Sequence, residues 1–244
     1  MSILSEMWQN CESAVFFGGA GVSTESGIPD FRSANGLYVK GAGTVSPEKI
    51  LSATFFYSHT ADFYDFYRAK MLYPNAAPGK AHRALAALER DSILKLVATQ
   101  NIDGLHQMAG SKNVAELHGT VLSNECLRCG AAYGLSVITD TEGLPTCPRC
   151  GGLIKPRVTL YEEQLPDGVF ERALHEIARA DMLIVGGTSL AVYPAANLVR
   201  YFRGKYLVII NYQSTPADEL ADLVIHESVG DTLEGLCSDL GIAL

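Results

Sequence analysis

Several ingredients are scarce in this 244-residue sequence, and each scarcity removes a class of protein. Six cysteines are too few for a disulfide-built scaffold. No Lys or Arg precedes Arg32, so the N-terminus lacks the positive region of a secretory signal or a mitochondrial presequence. No apolar stretch approaches the ~18–20 residues needed to cross a bilayer, and Tyr206 to Ile210 is only a strand's length. Cations are in the minority, with 19 Lys and Arg against 27 Asp and Glu and a net charge of −8. That balance argues against direct nucleic-acid binding and against an anionic membrane surface as partners. Charged residues make up only 19%, whereas hydrophobic residues make up 48%, enough to bury a real core. No internal repeat or low-complexity tract is visible. The expectation is a cytoplasmic protein with reduced thiols, built as one large domain with smaller insertions.

What is present is a rhythm of short apolar runs. Ala14 to Phe17, Ile93 to Ala98, Met182 to Val185, Tyr206 to Ile210 and Leu223 to Ile225 read as buried strands. Helical patterns lie among them, at Ala81 to Arg90, Pro166 to Ala180 and Pro194 to Arg203. Strands apolar throughout and alternating with helices imply an α/β fold, with a parallel sheet covered on both faces. Two stretches interrupt it. Thr54 to Tyr73 carries eight aromatic residues at partly helical spacing, which predicts a small helical insertion whose aromatics are mainly core. Cys126 to Cys150 looks like a separate miniature module.

In that module Cys126 and Cys129, then Cys147 and Cys150, form two Cys-x-x-Cys pairs separated by 17 residues. Gly130 and Gly151 follow the pairs where tight turns are needed. Four thiolates so spaced suit one tetrahedral Zn²⁺, and four protein ligands leave no open position, which makes the site structural. A redox dithiol would need one such pair at the start of a βαβ unit. Cys11 and Cys237 read as small buried apolar residues.

Gly19-Ala20-Gly21-Val22-Ser23-Thr24 follows the first strand and opens a helix, an arrangement that lets backbone approach a phosphate. Thr24 stands where the dinucleotide fingerprint has its third glycine, so the loop alone is a modest sign of NAD and also fits a glycine turn packing strand to helix. Gly186-Gly187-Thr188-Ser189 follows another strand and Asn211 ends the next, and ligands of open parallel sheets bind beyond such carboxyl ends. Gln100, Asn101 and Asp103 stand at a further strand exit. His118, followed by Gly119, suits a general base in a cleft, while His59, His82, His106, His175 and His226 read as structural.

These segments together resemble the sirtuin family, the NAD-dependent protein lysine deacylases. The resemblance rests on Gly19 to Arg32, Thr99-Gln100-Asn101-Ile102-Asp103, Glu116-Leu117-His118-Gly119, the four cysteines, Gly187-Thr188-Ser189-Leu190 and Ile210-Asn211, in the family's order. It implies a Rossmann-like parallel-sheet domain with a smaller domain formed by the helical insertion and the four-cysteine zinc module. The division it suggests is 1–35, 81–118 and 154–244 for the NAD-binding domain, 36–80 for the cofactor loop and helical insertion, and 119–153 for the zinc module. It further implies that Ala20 and Thr24 hold the NAD pyrophosphate, and that Phe31 and Arg32 lie over the nicotinamide ribose. Ile102 and Asp103 would hold the carboxamide, Gln100 and Asn101 the ribose and a water, and Thr188, Ser189, Asn211 and Val229 the adenosine half. His118, with Asn101, would be catalytic, as general base on a ribose hydroxyl. Products would be nicotinamide, O-acyl-ADP-ribose and free lysine, and the partners acyl-lysine proteins seated near Val158 to Tyr161 and Val192-Tyr193.

Two departures from the family pattern stand out. Val158-Thr159-Leu160-Tyr161-Glu162-Glu163 replaces the commoner Val-Val-x-Phe-Gly-Glu, and Thr159 and Glu162 bear on the peptide register and side-chain preference. The subgroup acting on acidic acyl groups carries Tyr-x-x-Arg in the helical insertion; here Tyr64 is followed by Tyr67, with Arg68 one residue late. Acetyl or longer apolar acyl groups are therefore expected before succinyl. Rival readings are an NAD-dependent ADP-ribosyltransferase and a catalytically idle NAD-sensing module, the latter disfavoured because binding alone does not need His118.

Overall fold

The computed structural model describes residues 1–31, 36 and 45–244. Arg32, expected over the nicotinamide ribose, lies outside the described residues.

Among the described residues, nine strands form two sheets: β1 (Ala14–Gly18), β2 (Leu94–Thr99), β3 (Val114–Glu116), β4 (Gly119–Cys126), β5 (Ala132–Tyr133), β6 (Ile154–Val158), β7 (Met182–Gly186), β8 (Tyr206–Ile210) and β9 (Leu223–Ile225). The six-stranded sheet runs β3-β2-β1-β7-β8-β9 and every pairing in it is parallel. The five apolar runs are all strands of this sheet, and β1 and β7 are buried at every residue. They read as unbroken apolar runs because both faces are covered. Odd and even positions feed different cores: Phe16, Val97, Ile184 and Val208 pack on one face, and Val15, Phe17, Leu183 and Ile209 on the other.

The helices among the described residues are α1 (Ile3–Gln9), α2 (Pro47–Ile50), α3 (Ala53–Ser58), α4 (Thr60–Lys70), α5 (Lys80–Arg90), α6 (Leu105–Ala109), α7 (Ser136–Thr139), α8 (Val169–Arg179) and α9 (Val229–Leu240). Helices α5 and α9 cover one face of the sheet, and α8 packs on the other. The segments opening at Ala20 and Pro194, expected as ordinary helices, are 3-10 turns over Ala20–Ser26 and Ala195–Tyr201. Each is seven residues long. Among the described residues, no helix is long and apolar enough to cross a membrane.

The second sheet, β5-β4-β6, is antiparallel. Strand β6 begins at Ile154, so the pairing of the small sheet runs beyond residue 153 to Val158. A third apolar cluster joins this sheet to the aromatic insertion, with Phe55, Phe56, Phe63, Tyr64 and Tyr67 packed against Val121, Ile138, Ile154 and Leu160. Edge-to-face contacts such as Phe56–Phe63 at 4.9 Å hold it, so the aromatics are mainly core as their spacing suggests, with Tyr57 exposed.

Candidate active site and zinc centre

The strand order reverses between β1 and β7, and the chain leaves these two strands through its two glycine-rich loops. Gly21 N–H donates to Gly187 O at 2.8 Å, and a Cβ on Gly21 would stand 2.7 Å from Gly187 Cα. Gly187 itself is left-handed at φ +60. These glycines therefore let two backbones touch at the crevice where open α/β sheets bind ligands. The structural and phosphate-binding readings of the loop are compatible, since the contact also shapes the crevice floor.

That crevice opens into a cleft of about 510 Å³ between the two sheets. Ala20, Thr24 and Phe31 line it from the first loop, and Gln100, Asn101, Ile102 and Asp103 from the exit of β2. Thr188, Ser189, Asn211 and Val229 line it from the β7, β8 and β9 ends, and His118 lines it at the junction of β3 and β4. Val158, Thr159, Leu160, Tyr161, Val192 and Tyr193 border the same space.

His118 is tied to both sheets. Leu117 N–H donates to Thr99 O at 2.9 Å, and Thr159 N–H donates to His118 O at 2.8 Å. Gly119 must follow it, because at φ +74 a Cβ there would fall 2.0 Å from Arg157 O. His118 Nδ1 lies 3.0 Å from the Gln100 carbonyl. A carbonyl oxygen only accepts, so Nδ1 carries the proton and Nε2 is the basic atom. Burial pushes the imidazole below its ordinary pKa, partly offset by that carbonyl, so it is neutral at pH 7. Gln100 Nε2 in turn donates to Thr188 Oγ1 at 3.1 Å.

A second network centres on Ser23, which sequence reasoning passed over as a loop residue. Gly79 N–H donates to His82 Nδ1 at 3.2 Å, so the neutral ring carries its proton on Nε2, 3.3 Å from Ser23 Oγ. Asn101 Nδ2 donates to the same oxygen at 3.0 Å, and Ser23 donates to Asp103 Oδ2 at 2.7 Å. Leu105 N–H donates to Asp103 Oδ1 at 2.9 Å. Both carboxylate oxygens are thus oriented from within the protein. His82, read as structural, is buried and does its structural work here. Its ring lies 4.7 Å from that of His106 and is tilted 60° to it, and burial lowers the His106 pKa to about 3.

The four module cysteines converge. Their Sγ atoms all lie within 4.8 Å of one another, with Cys126–Cys150 at 3.4 Å and Cys129–Cys147 at 3.7 Å. A tetrahedral ion with Zn–S of about 2.3 Å demands S···S edges near 3.8 Å, so the donor set fits one Zn²⁺. Gly130 and Gly151 are left-handed at φ +68 and +70, as the tight turns after each pair require. Arg128 N–H donates to Cys126 Sγ at 3.4 Å and the Tyr133 hydroxyl lies 3.0 Å from Cys147 Sγ, supporting the sulfurs from outside.

With this geometry in place, the similarities to known proteins are specific. Residues 19–194 match the Sir2 family. A Clostridium perfringens protein named NAD-dependent protein deacetylase is 56% identical, over 94% of this chain and 95% of its own. A Clostridium acetobutylicum protein of the same name is 53% identical, over 95% of each. The solved structure of a Sir2 protein with a deacetylated p53 peptide and 3'-O-acetyl ADP ribose superposes with a TM-score of 0.90, at 38% identity and 98% coverage of both chains. By sequence and by fold, this chain belongs to the Sir2 family, the sirtuins.

Proposed function

We infer that this chain is an NAD-dependent protein lysine deacetylase, with NAD⁺ as co-substrate and one structural Zn²⁺ on Cys126, Cys129, Cys147 and Cys150. The observation that carries this reading is a single cleft combining a neutral histidine whose Nε2 is free to act as base with the carboxylate-amide network at the β2 exit. A structural neighbour bound to acetyl ADP ribose and a peptide supports the same chemistry.

In this reading Ala20 and Thr24 take the pyrophosphate, Phe31 and Arg32 cover the nicotinamide ribose, and Asp103 with Ile102 takes the carboxamide. Ser23 holds Asp103 so that its carboxylate is already turned. Gln100 and Asn101 position the ribose and a water, and Thr188, Ser189, Asn211 and Val229 take the adenosine. The acetyl oxygen attacks the anomeric carbon as nicotinamide leaves. His118 Nε2 then removes the proton of the ribose hydroxyl that attacks the acetyl carbon, and water releases lysine and O-acetyl-ADP-ribose. A peptide seated beside Val158 to Tyr161 and Val192-Tyr193 adds a strand between the two sheets. The division into an NAD-binding part and a smaller insertion-plus-zinc part is supported by the separate sheets. Reduced thiols suit the cytoplasm as the place of action.

The test incubates purified protein with an acetyl-lysine peptide, with and without NAD⁺, and follows masses. Loss of acetyl only with NAD⁺, formation of O-acetyl-ADP-ribose, and loss of both in His118→Ala are expected. Deacetylation without NAD⁺, or ADP-ribose attached to protein with no deacetylation, overturns the reading, the latter in favour of a transferase.

A further inference from the structure

The 3-10 turn Ala20–Ser26 is pinned to three different parts of the molecule. Gly21 N–H holds it to Gly187 after β7, and the Ser23 hydroxyl holds it to Asp103 after β2. The third tie is at Glu25. The Ser228 hydroxyl donates to Glu25 Oε1 at 2.7 Å, in a partly buried bond across 203 positions of sequence. The same hydroxyl oxygen accepts the Asp231 N–H at 3.1 Å and so caps α9. Ser228 is therefore committed in both directions, its lone pair to its own helix and its proton to the turn.

Gly230 makes room for that carboxylate. A Cβ there would stand 2.3 Å from Glu25 Oε2 and 2.5 Å from Oε1, so the carboxylate rests on the bare α-carbon of the second residue of α9. Alanine is the better helix former, and the space that glycine leaves is taken by Glu25. The anchor is itself held. Val229, Leu233 and Leu236 of α9 are buried in one apolar cluster with Leu85 and Leu88 of α5. Lys80 at the start of α5 adds ion pairs to Asp231 at 2.7 Å and Glu234 at 3.1 Å, so that cation is engaged by α9 and not by Glu25.

The Glu25–Ser228 bond stands one residue from each of two cleft positions. Glu25 follows Thr24, Ser228 precedes Val229, and all four border the cleft. Thr24 is exposed, yet the residues on either side of it, Ser23 and Glu25, are both tied down. We propose that Glu25 is a positioning residue for NAD⁺: its carboxylate straps the pyrophosphate turn to the adenosine wall and keeps Thr24 and Val229 at the separation that one dinucleotide spans. The inference deepens the deacetylase reading and rests on its assignment of Thr24 and Val229. Glu25 acts through those two residues, so the strap bears on cofactor binding and leaves the chemical step to His118.

The test compares wild type with Glu25→Ala and with Gly230→Ala, whose methyl displaces the carboxylate while favouring the helix. KM for NAD⁺ should rise roughly 5- to 20-fold in each, the order of one hydrogen bond to a charged group, while kcat and KM for the acetyl-lysine peptide move by no more than about 2-fold. Affinity for ADP-ribose, titrated calorimetrically, should fall by the same factor. A general loss of structure would lower Tm in both variants, whereas Gly230→Ala should lose NAD⁺ affinity with its Tm kept or raised. The double variant should bind no worse than the weaker single one, because both changes break the same strap. An unchanged or lowered KM for NAD⁺ in either single variant, an equal loss in kcat or peptide KM, or additive losses in the double variant would overturn the proposal. Should Glu25→Ala not fold, Gly230→Ala decides the matter alone. Each of these outcomes with wild-type turnover intact leaves the deacetylase reading standing; a wild type that neither binds ADP-ribose nor deacetylates the peptide removes that reading and the strap with it.

Discussion

His118 Nδ1 donates to the Gln100 carbonyl at 3.0 Å, and this one bond decides which imidazole nitrogen is the base. It fixes the neutral tautomer with Nε2 bare. Burial holds the pKa below the ordinary imidazole value, so the working form persists at mildly acid pH. The acid limb of kcat/KM, which reports the free enzyme, should have its midpoint below about 6.5. The limb should be absent from any residual activity of His118→Ala. A midpoint well above 6.5 would mean that a different group titrates.

Ser23 should behave as a positioning residue. It receives Asn101 and His82 and donates to Asp103, so Ser23→Ala leaves Asp103 Oδ2 and two donors without their shared partner. A carboxylate free to rotate presents the wrong geometry, and misplacement of that order costs as much as about 100-fold in rate. We expect kcat/KM to fall at least 10-fold, and Ser23→Thr, which keeps the hydroxyl, to recover part of the loss. The same loss of buried hydrogen bonds should lower Tm by roughly 2–10 °C. An alanine variant with wild-type kinetics would show that Asp103 needs no internal partner.

Zinc should hold the small sheet together. The module's backbone turns around its sulfurs: Gly130 N–H donates to Cys126 O at 2.9 Å and Gly151 N–H to Cys147 O at 2.8 Å. Binding of a structural ion is coupled to folding, so a strong chelator should lower Tm by about 10 °C or more and native mass should show one zinc per chain before treatment. Cys147→Ala should reproduce the effect without chelator. A zinc-free native mass with unchanged Tm would contradict the assignment.

Stability should also fall on acidification, through His106. Both ring nitrogens are buried without partners among the described residues, and burial lowers the pKa to about 3, with the nearby His82 adding to the shift. An unfolded chain protonates near 6.5. Between those values the unfolded state binds a proton that the native state refuses, so stability is complete above about 6.5 and declines as pH drops towards 3. In His106→Leu, which fills the site without a titratable group, the decline of Tm between pH 6.5 and 4 should be shallower. Parallel curves for the two proteins would assign the acid sensitivity elsewhere.

The sequence made some of this visible and hid the rest for physical reasons. The sheet strands were legible because burial on both faces leaves an unbroken apolar run, as in Phe16-Phe17 and Ile184-Val185. The cysteine pairs were legible because a metal constrains spacing directly. Ser23 was not, since its importance lies in partners 59 to 80 residues away, which leave no local pattern. The join between β4 and β6 was also opaque: Ile154 to Val158 includes Pro156 and is too short to advertise which sheet it enters.

Glu162 shows how a departure from the family's glycine is accommodated. It adopts φ +76, a left-handed conformation that glycine enters freely and a residue with a Cβ enters at a cost. Its carboxylate compensates by accepting the Thr54 N–H at 2.9 Å, satisfying a first-turn donor of α3 beside the one that Ser52 takes from Phe55. Hydrogen bonds from the Thr54 side chain and from its backbone N–H hold the Glu162 carboxyl below its ordinary pKa, so the cap is intact at neutral pH. The two effects can be separated by substitution. Glu162→Gly loses the cap and the strain together and should keep a Tm close to wild type, whereas Glu162→Ala loses the cap, retains the strain and should melt lowest of the three. Equal melting of the alanine and glycine variants would mean that the left-handed backbone carries no penalty here, and the compensation argument would fall with it.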